Sequence, residues 1–214
     1  SLVVSWLGEV DVIVESEARK PSGGPAYFDM SHYEAIRDRL SSVPEVEGVA
    51  PQIHEAVPVM APATRLGEPQ VHLLGIAEER MNGFSRLVDE RGNTLSLSAL
   101  SPGQVYISTE VAEELDAVPG DPLQLFLETQ PTTVEVSGIY EKGAETAPEL
   151  SIVMPLARLQ SLMGTEGTIT AVLITSPGDA VEGARHTDSV MSILEPLLEG
   201  TGLEADPVKQ DALT

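Results

Sequence analysis

The feature that most restricts the fold is the order of strand and helix patterns along the chain. Residues 9–60 have the pattern of a strand, a helix and a second strand, and residues 150–208 again alternate strands with helices. Between them lie four short strands and one short helix. Because α/β patterns at both ends favour one unit built from both ends, we predict an α+β fold with two subdomains. We predict that the first subdomain, an α/β unit, consists of residues 1–63 plus 150–214. The second subdomain is an inserted, β-rich unit of residues 64–149.

The first α/β segment contains a strand and a helix with clear sequence signals. Residues 10–14 alternate Val with Asp11 and Ile13, which predicts a strand with one apolar face. Ser31 and Glu34 have the spacing of a capping box, and Pro44 ends the helix that follows. The apolar run over residues 46–60 predicts an edge strand or a bent strand, because it is interrupted by two prolines, Pro51 and Pro58.

The middle of the chain has short strand patterns at 70–76, 104–108, 123–127 and 133–140. A short helix capped by Ser108 or Thr109 lies between the second and third of these strands and stops at Pro119. Its predicted inward face consists of Val111, Ala112, Leu115 and Val118.

The last part of the chain returns to alternating strands and helices. A strand over residues 150–154 leads to a helix that begins at Pro155 and ends before Gly164. Leu156, Leu159, Leu162 and Met163 form the apolar face of that helix, which we interpret as a core face. The final predictions are a buried strand over residues 169–174, a helix over 181–198 that Pro196 kinks or shortens, and a strand over 203–208.

Composition excludes several functions. The formal net charge of -22 would repel nucleic acid phosphates, and only 4% of the residues are aromatic, so few rings are present to stack on bases. The chain has no Cys and therefore no disulfide framework, thiolate metal site or Cys nucleophile. No apolar run reaches membrane-spanning length. Because the sequence starts abruptly at Ser1 without Met, we expect it to be part of a longer protein.

No local motif indicates catalysis or metal binding. The four histidines, His32, His54, His72 and His186, are isolated in sequence, and none has a metal-ligand spacing. We expect His32 in the first turn of a helix and His72 at an exposed strand position. The acidic pairs 78–79, 89–90 and 113–114 are interpreted as solvated surface, because adjacent side chains diverge. Residues 22–24 (SGG) read as a flexible loop and not as a phosphate-binding loop, and no Gly-x-Ser-x-Gly elbow is present. The sequence thus predicts no catalytic, cofactor-binding or metal-binding residues and no cofactor.

A set of motifs in a particular order resembles a known family. They include VPEVEGVAP at 43–51 and SPGQVYIS at 101–108, together with segments 7–14, 71–76, 120–125, 134–140, 153–160 and 208–213. Singly these motifs are ordinary turns and strand starts. In this order they resemble the periplasmic core domain of MacB/FtsX-like ABC transporter permeases over nearly the whole chain.

The resemblance implies a porter-like α/β subdomain next to the membrane and an inserted, Sabre-like subdomain further out. It also implies a membrane protein with transmembrane helices on both flanks, this domain being extracytoplasmic, in the periplasm or on the outer face of the plasma membrane. The implied partners are those helices, a cytoplasmic ABC ATPase and a second permease copy. An adaptor protein, a lipoprotein or a cell-wall enzyme are candidates for a further partner. The implied function is non-catalytic: coupling of ATP hydrolysis to transport or signalling outside the membrane.

Two other functions stay open at the level of sequence. The first is an extracytoplasmic sensory or binding module that holds a hydrophobic molecule between the two subdomains. The second is a hydrolase whose Ser, His and Asp come together only in the fold, since a triad assembled from distant residues leaves no local motif.

Overall fold

The structure, a computed structural model, describes residues 10–141, 150–177 and 180–208. The predicted strand residue Glu9 and most of the motif at 208–213 lie outside these ranges. The elements are β1 Val10–Ser16, β2 Phe28–Asp29, α1 Met30–Leu40, β3 Gly48–Ala61, β4 Leu66–Ile76, β5 Gln104–Ser108, α2 Thr109–Leu115, β6 Pro122–Phe126, β7 Pro131–Tyr140, β8 Ser151–Pro155, α3 Leu156–Met163, β9 Thr168–Ile169, β10 Ala171–Thr175, α4 Ala180–Leu198 and β11 Leu203–Pro207. The predicted α+β class is confirmed.

Nine of these strands form one mixed sheet in the order β11-β1-β10-β3-β4-β8-β5-β7-β6. The β4–β8 and β5–β7 pairs are parallel, and the other neighbours are antiparallel. β6 also pairs with β3 through Val59 and Met60. The pairings therefore form a closed circuit of six strands from β3 to β6, and β10, β1 and β11 extend from that circuit as an open sheet.

The hairpin of β3 and β4 is the longest feature of the sheet. β3 has 14 residues and pairs with β10 through its first half, with β4 along most of its length and with β6 near its end. The turn of this hairpin, residues 62–65, contains the predicted boundary between residues 63 and 64. The division into two subdomains stays a prediction, and the hairpin joins the two segments through backbone pairing.

Both faces of the sheet are covered, and each has its own apolar core. One core contains the inward residues of α1, α3 and α4 and continues into the strand circuit, where Val111 and Leu115 of α2 join it. The other core lies on the opposite face under residues 77–100, which contribute Phe84, Leu87 and Leu97. The sequence predicts that only one face of β1 is apolar and buried. Because both faces of the sheet are covered, β1 is buried on both sides, and Asp11 is as inaccessible as Val12.

Two details of the predicted helices are wrong. α1 is capped by Asp29, whose Oδ1 accepts a hydrogen bond from the Ser31 N–H at 2.8 Å, so the cap lies two residues before the predicted one. α2 is capped by Ser108 as expected but ends at Leu115, where Asp116 adopts a left-handed conformation with φ of 47°. Val118 therefore lies beyond the helix and is exposed.

The last helix ends where the sequence predicts. α4 continues to Leu198, and Pro196 lies inside it. Only the last turn follows this proline, so the helix is not shortened by it.

The strand containing Pro51 and Pro58 is a central strand and not an edge strand. Pro51 lies opposite Val172 of β10, and Pro58 lies at the register shift between Val57 and Val59, where the ladder is interrupted and a missing N–H is tolerated. The predicted strand over 169–174 is divided into β9 and β10 at Thr170, whose backbone N–H donates a hydrogen bond to the Gln52 carbonyl oxygen of β3 at 3.0 Å.

Close backbone contact fixes the 77–100 segment on the start of β3. A Cβ at Gly48 would stand 2.2 Å from the Asn82 carbonyl oxygen and 2.8 Å from the Phe84 ring. Gly83 faces it with φ of +87°, and a Cβ there would stand 2.8 Å from the Glu47 carbonyl oxygen. Only glycines allow this approach without backbone displacement.

We expect Gly48→Ala to lower the free energy of unfolding of the 214-residue chain by about 3 kcal/mol, because backbone must move to make room. Gly67→Ala is the matched control. It is also a strand position, but its nearest neighbour is the Val59 carbonyl oxygen at 3.5 Å, an ordinary contact. Urea denaturation of both variants measures the difference, and equal stabilities would contradict the close packing.

Candidate functional site

The buried polar groups of β3 are the most unusual feature of the sheet. Gln52 and Glu55 are 1% and 7% exposed, and His54 lies between Ile53 and Glu55 on the same strand. Because successive residues of a strand face opposite sides, His54 and Glu55 belong to two different environments. Burial of polar groups is expensive unless each is hydrogen-bonded, so their partners define the site.

Glu55 binds two side chains from the loop that precedes β2. Its Oε1 accepts hydrogen bonds from Lys20 Nζ and from the Tyr27 hydroxyl, both at 2.5 Å. The Lys20 and Glu55 side chains are 14% and 7% exposed, and the Lys20 ammonium also lies 5.3 Å from the centre of the Tyr27 ring. Burial and the Glu55 carboxylate raise the pKa of Tyr27, so its hydroxyl remains a donor. This ion pair attaches the loop to the centre of the sheet.

His54 is paired with His72 across the β3–β4 hairpin. The distance from His54 Nε2 to His72 Nδ1 is 2.9 Å, so one ring donates a hydrogen bond and the other accepts it. His72 is half-buried, and the predicted exposed position is wrong. The His54 backbone N–H donates to Thr170 Oγ1 at 2.9 Å. Burial and the adjacent His72 imidazole lower the pKa of His54 to about 3, which keeps this ring neutral at physiological pH.

Three other buried hydroxyls connect β5, β7 and β8. The Tyr140 and Ser151 hydroxyls are 2.7 Å apart, and Ser108 Oγ accepts hydrogen bonds from the backbone N–H groups of Ser151 and Val111. Burial raises the pKa of Tyr140, so its hydroxyl stays protonated at neutral pH and cannot serve as a base. This arrangement satisfies buried polar groups and holds the N-terminus of α2 against the sheet.

The 77–100 segment encloses a pocket of about 170 Å³ against the end of β4. Glu78 fixes the segment, because its carboxylate accepts hydrogen bonds from Ser96 Oγ and from the backbone N–H groups of Leu97 and Ser98. The solvated interpretation of Glu78 is thus wrong. The apolar lining consists of Ile76, Met81, Phe84, Leu87, Leu95 and Leu97.

The remaining residues considered in the sequence lie apart from one another. His32 is in the first turn of α1 as predicted, beside Phe28. His186 on α4 contacts the Pro177 carbonyl oxygen at 3.0 Å through Nδ1. Asp89 Oδ1 accepts the backbone N–H groups of Arg91 and Asn93 in a tight turn. Leu156, Leu159 and Met163 face the core, in agreement with the core interpretation of the α3 stripe.

Metal binding lacks support in the described residues. Over residues 10–141, 150–177 and 180–208, no group of three or more His, Asp or Glu side chains could hold a metal ion. A tetrahedral zinc site has four ligands, and the His54–His72 pair supplies only two of them.

The chain enters and leaves the sheet at one corner. β1 and β11 are antiparallel neighbours, and Val12 lies opposite Pro207. Val10 and Gly48 both lie opposite Thr175, so this corner is level with the start of β3, and the hairpin turn 62–65 is at the other end. In the described part of the chain, the helices are too short or too polar to cross a membrane.

Comparison with known families decides what kind of domain this is. The sequence matches the family model for the MacB-like periplasmic core domain over residues 4–186. The chain belongs to this family. The MacB-like periplasmic core domain is the periplasmic domain of an ABC transporter permease, so the family predicted from motif order is confirmed.

Two solved structures share the fold of this MacB-like periplasmic core domain. The periplasmic region of MacB from Actinobacillus actinomycetemcomitans has a TM-score of 0.59 at 13% identity and covers 99% of this chain and 96% of its own. The extracellular domain of the noncanonic ABC-type transporter YknZ from Gram-positive bacteria has a TM-score of 0.58 at 17% identity and covers 92% and 98%. No curated protein sequence matches significantly.

Sequence reasoning treated the histidines as isolated and missed the His54–His72 pair. One signal was present: both residues lie a similar distance from the hairpin turn 62–65. In the register they are diagonal neighbours, with His54 opposite Leu74 and His72 opposite Ala56. Lys20 and Glu55 are 35 residues apart and left no such signal, because a loop position does not reveal which strand it covers.

We expect the stability of this domain to decrease on acidification because of His54. The ordinary His pKa of about 6.5 applies to the unfolded chain, which therefore binds a proton below that pH, whereas folded His54 stays neutral until about pH 3. Over that window the free energy of unfolding falls by about 1.4 kcal/mol per pH unit from this group. His54→Gln removes that part of the slope, and His32→Gln retains it. Urea denaturation between pH 7 and pH 4 measures both, and identical slopes would contradict the burial of a neutral ring.

Proposed function

We propose that this MacB-like periplasmic core domain is a non-catalytic coupling element. It transmits movement of the permease transmembrane helices, driven by ATP hydrolysis at a cytoplasmic ATPase, to a partner or substrate outside the membrane. One observation carries the proposal: the chain enters and leaves at a single corner of a sheet that is continuous to the hairpin turn 62–65. Because the sheet is continuous, a movement of the chain at this corner is transmitted to the rest of the domain.

The dimensions of the hairpin support transmission over a useful distance. The corner is level with Gly48, and β3 extends from there to Ala61, which corresponds to about 40 Å of strand. β3 has a ladder partner at nearly every residue, and Gln52, Val59 and Met60 have partners on both sides, so the strand cannot bend freely without breaking ladder hydrogen bonds. A tilt at the corner therefore displaces the hairpin turn by a multiple of the movement at the corner.

The region around the hairpin turn has the composition of a contact surface. Met60, Leu66, Val118 and Phe126 are between 37% and 57% exposed, and they lie on β3, β4, the loop after α2 and β6. Thr64 Oγ1 donates to the Leu115 carbonyl oxygen, which places the end of α2 beside the turn. An adaptor protein, a lipoprotein or a cell-wall enzyme would engage this end of the inserted segment 64–149. A second permease copy would complete the transporter.

Deletion of residues 64–149 is not a usable test of this proposal. The range includes β4, which pairs with β3 and β8 in the centre of the sheet, so its removal would unfold the domain. A test has to interrupt the mechanical connection and leave the sheet intact.

We expect a flexible four-residue Gly-Ser insertion immediately before Val10 and after Val208, in the full permease with its ATPase, to uncouple the domain. A spin label at Ala63→Cys on each permease copy reports the distance between the two hairpin turns. Vanadate trapping should change that distance in the parent protein and leave it unchanged in the insertion variant. Without vanadate, the insertion variant should retain ATP hydrolysis. The same insertion between Ser22 and Gly23, in an exposed turn, is the control and should retain the change. A change that persists despite the flanking insertions would overturn the proposal.

The pocket under the 77–100 segment supports a second candidate function, a binding module for a hydrophobic molecule. Its volume of about 170 Å³ is close to that of an engineered cavity that binds benzene, about 150 Å³, but Glu78, Asn82, Ser85 and Arg86 line it together with the apolar residues. The pocket lies entirely among residues 76–97, and not between segments from the two predicted subdomains.

Octanoate is a suitable probe of this pocket. A ligand that binds the native state raises the melting temperature by mass action, and we expect a rise of about 3 °C for each kcal/mol of stabilisation. Leu87→Trp fills the pocket and should abolish the rise. Val88→Trp, at the adjacent exposed residue, is the matched control and should retain it. No shift in the parent protein would exclude this candidate for chain-like ligands.

A further inference from the structure

β11 is the last strand of the open part of the sheet. Among the described residues it pairs only with β1, so one side of its backbone faces away from the sheet. At the other end of the strand order, β6 pairs with β3 and has no comparable free side. An open strand edge presents unpaired N–H and C=O groups and can accept an added strand.

A groove follows this edge on the α4 side. Its apolar lining includes Met191, Leu198, Leu203 and Ala205, and its acidic lining residues are Glu17, Glu195, Glu199 and Glu204. Leu203 and Ala205 lie opposite Ser16 and Val14, so they share the α4 face of the sheet. A strand added to β11 would direct every second side chain into this groove.

The other face of the edge is also acidic. Glu204 lies directly opposite Glu15 of β1, and Asp206 lies two residues further along β11. Like charges directly opposite on neighbouring strands destabilise a sheet. Burial and the nearby Asp206 and Glu204 carboxylates raise the pKa of Glu15, although Arg19 opposes this effect.

Among the described residues, little positive charge compensates these groups. In the part of the chain that the structure describes, Arg19 is the one cation within ion-pair distance of these carboxylates, and it lies 3.8 Å from Glu204. The side chains of Arg19 and Glu204 are about half exposed, at 49% and 52%. An exposed pair of this kind contributes little. A cationic occupant would relieve the repulsion on both faces of the edge.

We propose that the free edge of β11 binds an extended, Lys- or Arg-bearing segment of a partner protein as an added strand. The proposal does not depend on the coupling function. A second copy of this chain is disfavoured as the occupant because pairing of two β11 edges would bring Glu204 and Asp206 against their own counterparts, at a net charge of -22 per chain. Pro207, which lacks an N–H, limits the added strand to about five residues.

The synthetic peptide Ac-KVKVKVK-NH2, fluorescently labelled, tests the proposal with the 214-residue chain. We expect saturable binding by fluorescence anisotropy that weakens with salt. A peptide of the same sequence with alternate backbone amides N-methylated keeps the charge but cannot form the ladder, and it should bind at least about tenfold more weakly. Equal binding of the two peptides would reduce the interaction to non-specific electrostatics and overturn the proposal.

Charge reversal locates the site. With the valines of the peptide in the groove, its lysines share the face of Glu204 and Asp206, so Glu204→Lys should raise the Kd by about tenfold or more. The double variant Glu195→Lys/Glu199→Lys, on the α4 side, should also raise the Kd, but by less. Glu90→Lys, a carboxylate in the exposed turn 89–93, is the matched control and should leave the Kd within about twofold. Unchanged binding in the β11 and α4 variants, absence of binding to the parent chain, or dimerisation through β11 in sedimentation would each overturn the proposal.

Discussion

The rest of the structure depends on the pairing of β3 with β4. β3 is the strand at which the open sheet of β10, β1 and β11 meets the closed circuit that runs through β4, β8, β5, β7 and β6. Through this hairpin, segments far apart in sequence become one hydrogen-bonded sheet. α3 also packs closely on it: a Cβ at Gly75 would stand 3.0 Å from the Leu159 side chain. Any account of how the domain moves must therefore keep this hairpin intact.

The same hairpin contains the polar groups whose burial has to be compensated. Glu55 is matched by Lys20 and Tyr27 on one face, and His54 is matched by His72 on the other. Removal of one member of a buried ion pair leaves an uncompensated charge, at a cost of about 3–5 kcal/mol. These contacts thus specify which loop covers which strand. They account for Glu55 and His54, whereas the Nε2 of Gln52, also buried on β3, has no hydrogen-bond partner among the described residues.

Local patterns predicted most elements because their signals are local. The Gly164 stop and the Ser108 cap act within a few residues, and β5 was predicted at the bounds it has. Partners across the sheet were not predictable in the same way. The central position of the strand with Pro51 depends on β10, more than 100 residues away, and the pocket depends on how residues 77–100 fold back over the sheet. The family could be recognised from the order of the motifs along the chain, because each motif by itself is an ordinary turn or strand start.

The claim that the sheet moves as one body can be tested within a single domain. The chain has no Cys, so labels at Ala63→Cys in the hairpin turn and Glu199→Cys beside β11 are specific within this domain. Double electron–electron resonance on the full transporter, with one labelled permease copy, would compare the nucleotide-free and vanadate-trapped states. The account predicts one distance distribution, unchanged between the states. A shift of the distribution, or a second population on trapping, would show that the hairpin and the β11 corner move independently and would contradict it.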